Sequence, residues 1–250
     1  MKKSIIALAV FIATQLIGTA AATLFTDNMT QATIWGLLIS EVMAFTFLWA
    51  TRMFRPSELI GYVPPKILLT SIPLIVASVF ALNLVNGAMD LPNPMEQQFA
   101  EMAKSIPAAI SMVLSGPIIE EIVFRRVIVS DIMKMSCKPW IAVTVSAALF
   151  GLIHINPAQM VFAFMVGLIF GWIYIRTGSL LPCLIGHIIN NSEALIELRL
   201  CDDGSMLPED GQFYQNPLYL TIFIVCCVAS VLLAIVLSKQ TAGQKTAIEQ

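Results

Sequence analysis

Charge is what this chain has least of. Of its 250 residues only 12% are Asp, Glu, Lys or Arg, against 58% hydrophobic, and the mean hydropathy is +0.83. Soluble domains carry about 25% charged residues, so the composition excludes one and defines an all-α, polytopic membrane protein. No polar block is long enough for a separate soluble unit, and residues 1–250 read as a single integral domain. A basic patch is also missing, which excludes nucleic acid as a partner; the expected partners are membrane lipid and a peptide or protein substrate. The five cysteines, Cys137, Cys183, Cys201, Cys226 and Cys227, form no Cys-x-x-Cys pair and no finger spacing, so neither a disulfide framework nor a cysteine zinc site is expected. Cys183, Cys226 and Cys227 lie in apolar runs and read as core thiols. No His-Glu-x-x-His occurs, so the common zinc helix is absent. Asp131 is the sole aspartate near a span interior, which argues against a paired-aspartate site. Ser115-Gly116 lacks the preceding glycine pattern of a rhomboid-like serine site.

What is present is a series of long apolar runs. A membrane-crossing helix needs about 20 apolar residues. Eight runs qualify: 4–25, 31–54, 67–86, 106–132, 140–155, 158–175, 180–196 and 218–238, the fifth being short. With both termini cytoplasmic, 12 of the 14 Lys and Arg residues fall on the inner side, and only Lys104 and Arg199 fall outside. The expected location is the cell membrane, multi-pass. The first 22 residues resemble a signal peptide, with Lys2-Lys3, an apolar run and small residues at 18–22, but the run is long enough to span and reads as an uncleaved first helix. The 89–105 stretch is expected as an outer surface loop, with an amphipathic segment lying in the interface over the site as the alternative, the tail from Lys239 as disordered, Gly167-x-x-x-Gly171 as a close-packing face, and Trp172 with Tyr174 as part of an interfacial aromatic belt.

The stretch around which the rest is organised is Gly116-Pro117-Ile118-Ile119-Glu120-Glu121-Ile122-Val123-Phe124-Arg125-Arg126. It places two adjacent carboxylates and an arginine inside an apolar segment, where ionised groups are costly and usually mark a working site. Glu121 and Arg125 share a helix face at i and i+4 and are expected to pair. Glu120 points about 100° away, unpaired within its own helix, as a general base requires. Pro117, one turn earlier, is expected to kink the span and open room for substrate.

Both histidines lie in apolar runs. His154 ends Phe150-Gly151-Leu152-Ile153-His154, so Phe150 can pack on its ring; His187 opens His187-Ile188-Ile189-Asn190-Asn191, one turn from Asn191. Convergence in the bundle interior is the simplest way to satisfy Glu120, His154, His187 and Asn191. That set allows hydrolysis: Glu120 and His154 deprotonate a water, while His187 and Asn191 donate to the oxyanion of a tetrahedral intermediate. A zinc ion held by Glu120, His154 and His187 is the alternative use of the same side chains. Glu41, alone in the second run, reads equally as an interhelical polar contact or as a second functional carboxylate.

Glu120-Glu121-x-x-x-Arg125, Phe150-x-x-x-His154 and His187-x-x-x-Asn191, in that order, resemble the three-motif signature of the CAAX protease and bacteriocin-processing family, also called the Abi family. The signature covers roughly residues 105–200. The resemblance implies an intramembrane endopeptidase without a covalent intermediate and without a cofactor. In it the position of Glu120 is the base, that of His154 helps activate water, those of His187 and Asn191 stabilise the oxyanion, and Glu121 and Arg125 support the site. Prenylated C-a-a-X tails are the substrates of eukaryotic members; bacterial members have been tied to peptide processing, bacteriocin immunity or scaffolding. A cleavage site in the cytoplasmic half of the membrane is expected. A non-catalytic scaffold or immunity protein, and more weakly a proton-coupled transporter using Glu41 and Glu120, are the readings from other classes.

Overall fold

The structure, a computed structural model, describes residues 2–135, 138–200 and 213–242. Cys137, Cys201, the acidic residues at 202–210 and the tail beyond 242 lie outside the described residues. Nine helices account for nearly all of the rest: α1 Lys2–Ala22, α2 Met29–Ala50, α3 Pro65–Ala88, α4 Glu96–Ala103, α5 Ile106–Met133, α6 Pro139–Leu152, α7 Pro157–Thr177, α8 Leu181–Leu200 and α9 Pro217–Gln240. Among the described residues there is no strand.

Start and stop signals explain most boundaries. Asn28 caps α2 through Gln31 N–H, Asn216 caps α9 through Leu218 N–H, and prolines open α3, α6, α7 and α9, where a missing N–H does no harm. Gly178 ends α7 in the left-handed conformation, φ 65°, which costs glycine nothing.

Six of these helices, α1, α2, α3, α5, α7 and α9, are long and apolar enough to cross a membrane. The other two expected runs are helical but different. At 14 residues α6 extends about 21 Å, short of the roughly 30 Å hydrocarbon thickness. The second half of α8 is polar, with Asn190, Asn191, Glu193, Glu197 and Arg199.

At the middle of the bundle α5 touches α1, α2, α6, α7 and α8. In lipid the hydrophobic effect does not drive helix against helix, so close approach and polar contacts carry the packing. The expected close-packing face is found: a Cβ on Gly167 would meet Ala147 Cα at 3.0 Å, and one on Gly171 would meet Val143 Cγ1 at 3.1 Å, so α6 and α7 lie backbone to backbone. Outermost is α9, packed on α3, with Leu218, Val228, Val231 and Leu232 exposed to the apolar surroundings. Tyr174 corrects the aromatic-belt expectation. It is buried, and its hydroxyl meets Ser130 Oγ at 3.0 Å in the core.

Two sets of contacts define the two ends of the bundle. At one end Ser4 binds Asp131, Arg126 binds Glu58 through two 2.9 Å bonds, and Gln240 binds Thr70. At the other, Asn156 binds Asn93, Ala158 N–H binds Pro92 O, and Arg199 binds Ala103 O. Lys2, Lys3, Arg52, Arg55, Lys66, Lys134, Lys138, Arg176 and Lys239 all belong to helix ends or loops on the Arg126–Glu58 side.

Candidate functional site

The site is built on an irregularity in α5. Pro117 has no N–H to donate back along the helix. Just before it lies a widened turn at Ser111–Ser115, in which Gly116 N–H donates to Ser111 O, five residues back, and the helix runs on through Met133. In that register Met112 O is the acceptor Pro117 leaves without a donor. Asn191 Nδ2, from α8, donates to it at 2.7 Å. A second widened stretch, Glu121–Val129, follows after the regular turn Gly116–Glu120. Such turns are rare and concentrate where a side chain must be re-aimed.

Glu41 of α2 holds the first turn from outside. Ser111 Oγ and Ser115 Oγ each donate to one of its carboxylate oxygens at 2.5 Å. Glu41 is therefore an interhelical contact, and it also borders the cavity described below.

The expected pair forms: Arg125 Nη1 lies 3.0 Å from Glu121 Oε1, with both side chains essentially sealed from solvent. The guanidinium also faces the rings of Phe150 at 4.5 Å and Phe170 at 5.3 Å. Desolvated cation–π contacts of this kind are worth about 2 kcal/mol. His187 lies against the same carboxylate, Nδ1 2.8 Å from Glu121 Oε1, and its Nε2 faces Glu120 Oε2 at 3.4 Å. The first separation is a hydrogen bond; the second is longer than one. Glu121 thus orients His187, while Glu120 keeps a partly open carboxylate beside the free edge of the ring. The bond from His187 to Glu121 was not foreseen, because no spacing in sequence relates two different helices.

His154 sits just beyond the C-terminus of α6. Its Nδ1 is 2.8 Å from Phe150 O, and its ring meets the Phe150 ring edge-on at 5.0 Å. A carbonyl only accepts, so Nδ1 is the donor, and in a neutral ring the lone pair is on Nε2. The chain leaves this histidine through Ile155, a β-branched residue at φ 60°, with Asn156 N–H donating to His154 O at 2.6 Å. That turn is strained, and it is locked from the neighbouring loop by the 2.6 Å bond from buried Asn156 to Asn93. Asn156-Pro157 was the signal available in sequence for a turn here.

Glu120, His154, His187 and Asn191 all line one cavity of about 870 Å³, together with Phe150. Asn191 spends one amide hydrogen on Met112 O, and Asn190 donates to its Oδ1 at 2.9 Å. The 89–105 stretch departs from the expected loop: it forms α4, whose Met95, Glu96 and Phe99 side border the same cavity. Among the described residues no three His, Cys, Asp or Glu side chains gather into a metal-holding group. A groove of about 630 Å³ at the basic end, between Arg176, Lys239 and α9, carries neither carboxylate nor imidazole. Cys183, an expected core thiol, is fully buried and donates to Phe170 O at 3.2 Å.

These features define a multi-pass membrane protein with a carboxylate–imidazole cluster in its interior. Residues 102–192 match the family described as type II CAAX prenyl endopeptidase Rce1-like. All three motifs fall within the match. A protein of Bacillus subtilis (strain 168) named "Putative membrane peptidase YdiL" is 25% identical over 101 residues, 40% of this chain and 41% of that protein. The chain therefore matches about two fifths of the length of that curated relative. No solved structure matches.

Proposed function

We propose that the protein is an intramembrane endopeptidase that hydrolyses a peptide bond in a membrane-associated or lipidated peptide by activating water, without a covalent intermediate. The observation that carries this reading is the meeting of Glu120, His154, His187 and Asn191, from three separate parts of the chain, around one cavity. Water held between the Glu120 carboxylate and His154 Nε2 loses its proton to one of these bases as its oxygen attacks the carbonyl carbon. The developing oxyanion is met by the second amide hydrogen of Asn191 and by the Nε2–H of a doubly protonated His187, whose Nδ1–H donates to Glu121. The proton then passes to the leaving amine. Glu121 and Arg125 fix His187 and neutralise each other, and Phe150 fixes the His154 ring.

The similarity to type II CAAX prenyl endopeptidases and to a protein named as a membrane peptidase supports this class. Zinc held by Glu120, His154 and His187 is the alternative use of the same side chains, and metal analysis of the purified protein separates the two. The test is Glu120→Ala as purified protein against a peptide library: cleavage should fall by about 10³-fold or more, as for loss of a group acting only on the transition state. Full cleavage by that variant overturns the proposal. Retained activity in chelator, with no stoichiometric metal in the purified protein, is the expected outcome for a metal-free site.

A further inference from the structure

Helices α1, α3, α5 and α7 border the cavity mainly with the half remote from their basic residues. In α1 the bordering residues are Phe11, Gln15 and Thr19, against Lys2 and Lys3 at the start. In α3 they are Asn83 and Asn86, against Lys66. In α5 they run from Ser111 to Glu120, against Arg126 and Lys134, and in α7 from Ala158 to Val166, against Arg176. The C-terminal half of α8, with Glu193 and Glu197, completes the wall. The cavity therefore runs from mid-bundle toward the end tied together by Asn93–Asn156 and Arg199–Ala103, and away from the end that carries Glu58–Arg126.

Basic residues near span ends stay on the cytoplasmic side during insertion. Here ten described Lys and Arg residues belong to the closed end of the bundle, Arg126 among them. Only Lys104 and Arg199 belong to the open end; the remaining one, Arg125, is consumed by Glu121 in the middle. We infer that the cavity opens on the non-cytoplasmic face, so that the site takes a peptide segment presented from outside, or from the outer leaflet, and not one presented by the cytoplasm. This reverses the expectation of a cleavage site in the cytoplasmic half of the membrane. Arg126, paired with Glu58, belongs to the closed end of α5. The lining adds a charge preference. It holds Glu41, Glu96, Glu120, Glu193 and Glu197 and no lysine or arginine, so an acidic segment is disfavoured over a neutral or basic one.

The substrate clause rests on the peptidase reading; the direction of opening does not. Single cysteines at three positions in the full chain separate them: Met89→Cys beside the open end, Ala194→Cys on the cavity wall and Lys66→Cys at the closed end. Intact cells are treated with a membrane-impermeant maleimide, and labelling is counted above that of the unsubstituted protein. The expected result is labelling at 89 and 194 at least fivefold above that at 66, with 66 reached only after permeabilisation. Labelling at 66 but not at 89 and 194 overturns the inference, as does equal labelling at both ends. Labelling at 89 with none at 194 overturns it too, because the cavity is then closed to that side. If the labelling is as expected but Glu120-dependent cleavage is never found, the peptidase reading fails and the outward opening stands.

Discussion

Removing the Arg125 guanidinium should be the most damaging single change in the protein that leaves Glu120, His154, His187 and Asn191 untouched. In Arg125→Leu, Glu121 remains fully buried, with the His187 ring as its surviving close partner. Breaking one half of a buried pair costs about 3–5 kcal/mol, because the remaining charge stays desolvated. The two ring contacts at 4.5 and 5.3 Å add about 1–2 kcal/mol. At about 2–4 °C per kcal/mol for a chain of this size, thermal unfolding in detergent should drop by roughly 10 °C or more. Arg125→Lys keeps the charge but not the planar stacking, and should lose roughly a third of that. Arg125→Leu combined with Glu121→Gln removes both charges and should recover a large part of the loss relative to the single variant. A drop of under 3 °C for Arg125→Leu, or a double variant no better than the single, would refute the account of a mutually dependent buried pair.

Ile155→Gly relieves a left-handed β-branched residue whose side chain is 80% exposed, so little packing is lost. Melting should rise by an amount corresponding to about 1 kcal/mol net of glycine's chain entropy, and a fall in melting temperature would show that the turn is not strained. Glu41→Gln should destabilise by about 1–3 kcal/mol, and the Ser111→Ala/Ser115→Ala variant by a similar amount. If the clamp is real, adding Glu41→Gln to the serine-free background changes the unfolding midpoint little; strict additivity would contradict it. Burial works against ionisation of Glu58, but the Arg126 guanidinium and Arg55 N–H hydrogen-bond it and hold its carboxyl below the ordinary value of 4.5. The group is more protonated in the unfolded chain, so its contribution is complete above that value and disappears as pH falls through the depressed one. Between about pH 5 and 3, Glu58→Gln should lose stability less steeply than the native chain; parallel acid limbs would exclude this role.

The helices were legible in sequence because a membrane-crossing segment announces itself locally: apolar length, proline at the start, charge at the ends. The pairing of Glu121 with Arg125, and of Phe150 with His154, was legible for the same reason, since each pair is four residues apart, the first within α5 and the second across the end of α6. The sequence also marked Glu120, His187 and Asn191 by the cost of placing polar groups in apolar runs. It could not say what each polar group would touch. That His187 leans on Glu121, that Asn191 satisfies the carbonyl released by Pro117, that Glu41 grips Ser111 and Ser115, and that Asn93 locks the turn after His154 are contacts between distant parts of the chain, and periodicity carries no information about those. The tertiary structure alone decided which way the cavity runs. Direction depends on how far each helix extends past its neighbours, and α6, about 9 Å shorter than the hydrocarbon thickness, ends before it could cross.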